Sequence, residues 1–451
     1  MSAGGPLVFE VLARSAATRA RAGRVTTPHG SFDTPAFMPV GTRASVKGAL
    51  PSQVAATGAQ IVLANTYHLM LRPGAELVQR MGGLHRFMNW PGPILTDSGG
   101  YQAYSMADLN KVTDDGVTFR SIVDGSEIHL SPERAIEIQN LLGADIIMAF
   151  DDCPPSENPS VREQTSRRIH GAAAEDGPDP RLARAVRRDS RRGGYDHARR
   201  LREANERTVR WLERCREAHL AGPRAGDQAL FGIVQGGTDL DQRTWSAQRI
   251  TAIDLPGYAI GGVAVGEGSD RIAAVVRHTA PLLPEDRPRY LMGVGYERDL
   301  LAAVLAGVDM FDCVLPTRNA RNANAFTSRG QIRLRNAQYA EDPRPIEPGC
   351  DCVACAGAGG MGDRGPFSRA YIRHLFMAGE MLGPILLTLH NLRHFQRFMA
   401  DVRAAVRTDD WAGVAARWPV AAPGLPPGIG GHPGAEHFET GTTGTGLRPT
   451  L

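Results

Sequence analysis

Lysine is almost absent from this 451-residue chain. It stands only at positions 47 and 111, so nearly all of the 51 basic residues are arginine. The net charge is only +3, too small to mark a nucleic-acid binder by itself. A GC-rich genome accounts for the arginine bias; the competing reading is a demand for bidentate phosphate contacts, which a planar guanidinium makes and an ammonium does not. No apolar stretch reaches the roughly 20 residues that cross a bilayer, and no secretory signal is seen, so a cytoplasmic protein without membrane contact is expected. Cysteine is also scarce, six in all, and three of them (Cys350, Cys352 and Cys355) crowd into one short stretch. In a cytoplasmic chain such crowding points to metal and excludes a disulfide framework.

What is present is an α/β pattern. The chain is 42% hydrophobic and 22% charged, as in ordinary globular proteins, and its length allows one to three domains. Eight short apolar runs recur: TPAFMPV (34–40), IVLANT (61–66), PILTD (93–97), IIMAFDD (146–152), LFGIVQG (230–236), YAIGGVAV (258–265), RYLMGVG (289–295) and MFDCVLP (310–316). Helix-compatible segments lie between them. In SPERAIEIQNLLGA, Ser131 suits the N-cap and Pro132 the first helical position. Runs apolar throughout predict strands covered on both faces, hence a parallel sheet with crossover helices. Eight of them predict a (β/α)8 TIM barrel; a doubly wound open sheet is the alternative. Asp97, Asp151, Gln235, Gly262, Gly293 and Asp312 gather at the C-terminal ends of the runs, the rim where such a barrel builds its active site.

Two regions fall outside this pattern. Residues 157–194 are rich in Arg, Gly and Pro and read as a long or partly disordered insertion leaving from the catalytic rim. The Gly-, Pro- and Thr-rich C-terminus reads as a disordered tail. The expected division is a catalytic barrel over 8–345, a zinc-binding subdomain with closing helices over 346–400, a helical segment over 401–419 and the tail over 420–451.

The motif Cys350-x-Cys352-x2-Cys355 places three thiolates in one tight loop, with zinc the first expectation. His374, His390 and His394 are candidates for the fourth ligand, and spacing does not choose among them. Three Cys and one His would close the tetrahedron, which predicts a structural ion with no open position.

Asp312 sits inside the apolar run MFDCVLP, where an unpaired carboxylate costs several kcal/mol. Either a structural partner ties it down or it is kept because it reacts. LTDSGGYQ (95–102) puts Asp97 at a strand end, followed by Ser98, by Gly99 and Gly100, which let backbone approach a flat ligand, and by Tyr101, a ring for stacking. FDDC (150–153), VQGG (234–237) and GGVAVGEG (261–268) add further polar strand ends.

Taken together, TPHGSFDTPAFMPVGTRASVKG (27–48), LANTYHLMLRPG (63–74), LTDSGGYQ, MAFDDC, LFGIVQGG, GYAIGGVAVGEG, YLMGVG, DMFDCVLPTRNARN (309–322), the cysteine cluster and TLHN (388–391) strongly resemble the bacterial tRNA-guanine transglycosylases, also called queuine tRNA-ribosyltransferases. The resemblance covers most of residues 8–400 in the family's order and leaves out the insertion and the tail. It implies a TIM barrel with a zinc subdomain. It implies that Asp312 is the nucleophile forming a covalent ribosyl-enzyme at C1′ of the wobble guanosine, and that Asp97 is the acid/base. Asp97, Ser98, Gly99, Gly100, Tyr101, Asp151, Gln235 and Gly262 then hold the base. Gly293, Val294, Gly295, Tyr296, Glu297, Arg298 and Asp299, with Thr317, Arg318, Asn319, Ala320 and Arg321, match segments that contact the RNA. Cys350, Cys352, Cys355 and His390 match the ligands of one structural Zn2+ per subunit. The implied partners are tRNAs with GUN anticodons, guanine and 7-aminomethyl-7-deazaguanine, and a second copy in a homodimer. Cys153 and Val265 resemble the bacterial pattern that takes 7-aminomethyl-7-deazaguanine rather than queuine.

The chemistry asks for these residue types independently. Cleaving an N-glycosidic bond passes through an oxocarbenium-like state, and retaining enzymes manage it with two carboxylates about 5 Å apart. Base exchange with retention needs two displacements, hence a carboxylate nucleophile. Guanine leaves poorly as an anion and the incoming base must lose its N9 proton, hence an acid/base. Competing readings are a catalytically silent RNA-binding subunit, which two intact aspartates disfavour, and a metal-dependent hydrolase, which a thiolate-rich cluster disfavours.

Overall fold

The computed structural model describes residues 5–105, 110–158, 196–264, 267–357 and 365–429. Most of the Arg-rich insertion and the tail beyond residue 429 lie outside the described residues. All eight apolar runs form parallel strands: β1 (Ala36–Pro39), β2 (Val62–Ala64), β3 (Ile94–Thr96), β4 (Ile146–Met148), β5 (Ala229–Val234), β6 (Gly257–Ile260), β7 (Arg289–Leu291) and β8 (Met310–Cys313). Each pairs with its neighbour in sequence, and β8 pairs with β1 in parallel through Phe311–Phe37 and Asp312–Met38. A parallel bridge between Val40 and Leu63 joins β1 to β2. The barrel is therefore closed, and the open doubly wound sheet is excluded. The strands are shorter than the apolar runs, because the last residues of each run leave the ladder to line the rim.

Side chains alternate between the two sides of this sheet, as a period of two requires. Met38, Leu63, Leu95, Met148, Ile233, Ala259, Tyr290 and Met310 pack together inside the barrel. Phe37, Val62, Ile94, Ile147, Val234, Ile260, Leu291 and Phe311 pack outward against the helices. The same parity carries forward. Asp97 lies two residues beyond Leu95, Gln235 two beyond Ile233 and Asp312 two beyond Met310, so all three turn into the top of the barrel.

A three-stranded antiparallel sheet (Val8–Arg14, Arg21–Thr27, Gly30–Thr34) precedes β1 and inserts Val25 and Phe32 into the interior cluster. Its turn is fastened by Asp145, whose carboxylate accepts from His29 Nδ1 at 2.8 Å, His85 Nε2 at 3.0 Å and Ile94 N at 2.8 Å. The two imidazoles lie face to face at 3.6 Å. Their in-plane lone pairs therefore do not converge on a common centre, and the group reads as a hydrogen-bonded clamp rather than a metal site. A second antiparallel sheet (Asn110–Val112, Val117–Arg120, Glu127–Leu130) follows β3. Helix α1 (Pro132–Leu142) starts as expected, Ser131 Oγ accepting from Arg134 N. Helix α2 (His197–Ala221) brings the chain back from the insertion, its Arg200 and Arg207 paired with the buried Asp152.

A separate core surrounds the cysteines and runs from Ala320 to Leu387. The expected boundary at 345/346 cuts through it, because Ala320, Ala323, Ala325 and Leu334 already pack there. The boundary at 400/401 falls inside one continuous helix, Leu382–Thr408. The expected tail begins too early: Ala421 and Leu425 are buried in the main core and Ile429 packs on it. Among the described residues, no helix is long and apolar enough to cross a membrane.

Candidate active site

At the C-terminal rim of the barrel lies a cavity of 430 Å³. Asp97, Ser98, Gly99, Tyr101, Asp151, Gln235, Gly262, Gly293, Asp312 and Arg318 all line it. Sequence positions more than 200 apart thus meet because each closes a strand of one barrel.

Asp312 is half-buried and lines the cavity. Its Oδ1 accepts from Tyr290 Oη at 2.6 Å and from Gly293 N at 2.8 Å. Both bonds fall on one oxygen, and among the described residues Oδ2 takes none. Burial of the surroundings pushes the Asp312 pKa up, while these two donors pull it down. The carboxylate is held by structural partners and still has an oxygen to react with. Tyr290 is a participant that sequence reasoning missed; it belongs to the same run as Gly293, and only the barrel's cross-section brings its hydroxyl to Asp312.

Asp97 is buried. Its Oδ1 accepts from Thr66 N at 2.7 Å and its Oδ2 from Asn65 Nδ2, two more participants that motif reading left unassigned. Burial drives its pKa up to about 6; the negative charge of Asp312 adds to the rise, and the Thr66 and Asn65 donors oppose it. A group poised near neutrality both gives and takes a proton at physiological pH.

Asp151 and Gln235 form a buried pair, Gln235 Nε2 donating to Asp151 Oδ2 at 2.6 Å. Ser98 Oγ lies 3.3 Å from the other oxygen. Burial first, and the neighbouring Asp152 charge as well, raise the Asp151 pKa to about 7, against the Gln235 bond. Two glycines are required by contact. A Cβ on Gly100 would lie 2.8 Å from Asp151 O, and one on Gly262, whose φ is +63°, would lie 2.1 Å from Gln235 Oε1. Burial also raises the Cys153 thiol pKa, so this cavity-lining cysteine stays neutral.

The proposed RNA segments divide by exposure. Arg298, Arg318 and Arg321 are exposed and Asn319 is partly so, whereas Val294, Gly295, Glu297, Asp299, Thr317 and Ala320 are buried. Glu297 is committed inward, its Oε1 bonded at 2.6 Å to His394 Nε2. Its side chain is therefore turned inward, away from solvent.

Cys350, Cys352, Cys355 and His390 form a buried cluster suited to a metal ion. His390 Nδ1 lies 3.8, 3.4 and 3.4 Å from the three sulfurs. Tetrahedral zinc with sulfur and nitrogen ligands has N···S edges of about 3.5 Å, so the donor set fits. The other ring nitrogen, Nε2, faces Phe326 O at 2.8 Å, the outer partner that orients a metal-bound imidazole. The two histidines that spacing left in contention lie elsewhere: His374 is exposed and His394 is bonded to Glu297.

A family profile described as queuine tRNA-ribosyltransferase matches residues 16–172 and 192–421. The unmatched gap falls inside the Arg-rich stretch. A queuine tRNA-ribosyltransferase of Symbiobacterium thermophilum is 50% identical over 404 residues, which cover 90% of this chain and 88% of the relative. That of Pelotomaculum thermopropionicum is 49% identical, covering 88% and 94%, and one from Thermus thermophilus is 49% identical, covering 89% and 91%.

Proposed function

The chain belongs to the queuine tRNA-ribosyltransferase family, and from that premise we propose that it replaces the wobble guanine of GUN-anticodon tRNAs with 7-aminomethyl-7-deazaguanine, a step of the queuosine pathway, through a covalent ribosyl-aspartate. The observation that carries the reading is the Asp312 carboxylate, pinned at Oδ1 by Tyr290 and Gly293, with no hydrogen bond to Oδ2 among the described residues, in the cavity that Asp97 also lines. Asp312 Oδ2 attacks C1′ as the C1′–N9 bond breaks, and Asp97 supplies the proton that the leaving guanine takes. The incoming base gives its N9 proton to Asp97 and displaces Asp312, restoring both groups. Asp151 and Gln235 read the amide-like edge and amino group of the purine, and Ser98 to Tyr101 with Gly262 enclose it.

Arg318 and Arg321, exposed on the helix that follows Asp312, are assigned to RNA phosphates, with Arg298 flanking. The cysteine–histidine cluster is assigned to one structural Zn2+ per subunit, which closes the fold of the subdomain and supplies no reaction chemistry. None of its four residues lines the cavity, which disfavours a metal-dependent hydrolase. The exposed apolar side chains Tyr371, Met377, Met381 and Leu382, around the turn into the Leu382–Thr408 helix, are the surface we assign to a homodimer. Cytoplasmic location follows from the tRNA substrate. Cys153 lines the base cavity, while Val265 lies outside the described residues; the two side chains would leave too little room for the cyclopentenediol of queuine, which predicts a kinetic preference for 7-aminomethyl-7-deazaguanine, and the opposite preference would overturn the choice of base.

Radiolabelled guanine exchange into unmodified tRNA tests the activity. Asp312→Asn should abolish exchange and the denaturant-resistant tRNA adduct while leaving the melting temperature near wild type. An adduct that persists in this variant removes Asp312 from the role.

A further inference from the structure

Arg243 is a guanidinium buried without an anion. It lies on the inner face of helix α3 (Leu240–Thr251), where Arg243, Ser246, Ala247 and Ile250 form the buried stripe, and its exposure is 0%. A buried cation ordinarily needs a carboxylate partner, yet among the described residues Arg243 makes no ion pair. Backbone carbonyls replace it. Nε donates to Gly237 O at 2.8 Å, Nη1 to Val234 O at 3.0 Å and Gly261 O at 2.7 Å, and Nη2 to Gly262 O at 3.2 Å.

These four carbonyls flank Gln235 on one segment and include Gly262 on the other. The ladder between β5 and β6 ends at Val234–Ile260, with one further backbone bond from Gly261 N to Val234 O at 3.0 Å; among the described residues no backbone bond links Gln235 to Gly262 past that point. There the backbone turns through Gly236 at φ +142°, Gly237 at +53° and Gly262 at +63°. The same helix face donates from Gln235 N to Ser246 Oγ at 3.1 Å. Burial lowers the Arg243 pKa to about 10, so the group remains a cation at neutral pH.

We propose that Arg243 is the positioning residue for purine-base recognition: by bonding both segments at once it sets the spacing between Gln235 and Gly262 across which the free base is held. This rests on the reading of the cavity as the base site. Only a planar group with five donors reaches four carbonyls in this arrangement; an ammonium offers three donors from a single point.

The test uses the full-length, zinc-loaded protein and guanine as the probe. Arg243→Lys should raise the KM for guanine by about tenfold or more, the effect of losing one or two charge-assisted bonds. The Kd for tRNA, measured by gel shift without free base, should change less than about twofold, because phosphate contacts supply most of that affinity. Should the lysine variant fold poorly, Arg243→Gln removes the buried charge and keeps two donors, so it relieves the desolvation cost and should show the same split. Two results overturn the inference: a guanine KM unchanged in either folded variant, or guanine KM, tRNA Kd and melting temperature all shifting together as in a general packing defect. A wild-type protein with no guanine exchange would instead refute the proposed function, which separates the two failures.

Discussion

Replacing Asp151 with asparagine should stabilise this protein at alkaline pH and barely at all in acid. The carboxyl is buried and its pKa in the folded chain stands at about 7 against a reference of 3.8. A folded-state value above the unfolded one means that the native state holds the proton more tightly. Its contribution to stability is therefore greatest below pH 3.8 and is lost as pH rises from there to 7. The span of 7 minus 3.8, at 1.36 kcal/mol for each unit, is about 4 kcal/mol. Asparagine has nearly the same shape, its carbonyl can accept from Gln235 Nε2, and its amide can donate to Ser98 Oγ, so the polar contacts survive without the charge. Urea unfolding at pH 8.5 should show Asp151→Asn more stable than wild type by up to about 4 kcal/mol, and the gain should shrink by about 3 kcal/mol on going to pH 5. The Asp97 contribution has the same sign but is present in both proteins and largely cancels. Base affinity should fall in the same variant, the exchange of function for stability expected of a buried ionisable group in a binding site. A gain independent of pH, or no gain at pH 8.5, would refute the argument that burial of this carboxylate is what strains the site.

Tyr290→Phe removes one of the two donors on Asp312 Oδ1; a bond to a charged acceptor is worth about 1.5–3 kcal/mol, so the acid limb of the pH profile for adduct formation should move up by about one to two units, and an unmoved limb would take Tyr290 out of the nucleophile's support. Chelation, or Cys352→Ala, should release about one zinc per chain and unfold the 320–387 core first, since structural zinc binding is coupled to folding; full stability after complete metal loss, followed by atomic absorption and calorimetry, would remove the structural assignment.

Much of the site was legible because its residues obey local rules. Period-two alternation already implied that Asp97, Gln235 and Asp312 share a face with Leu95, Ile233 and Met310, and a run apolar on both sides implied a covered parallel strand. The cysteine trio was legible because three thiolates within six positions can hardly avoid one another. The domain boundaries were not, because the core around the cysteines recruits Ala320 to Leu334 from the far side of the last strand, and composition carries no sign of that docking. The inward course of the Glu297 side chain was not legible for a related reason: its partner is a histidine on a helix nearly 100 positions away.

Strand number, inward parity, the cysteine ligands and the carboxylates at the rim were thus determined by the sequence alone, since each follows from geometry within a few residues of chain. Closure of the barrel decided most of the rest. It set which tyrosine grips Asp312 and which buried arginine fastens the two base-reading segments, while docking of the Leu382–Thr408 helix on the cysteine core set which histidine meets the thiolates. Those are contacts between elements, fixed by the packing of whole strands and helices around one axis, and no spacing along the chain encodes them.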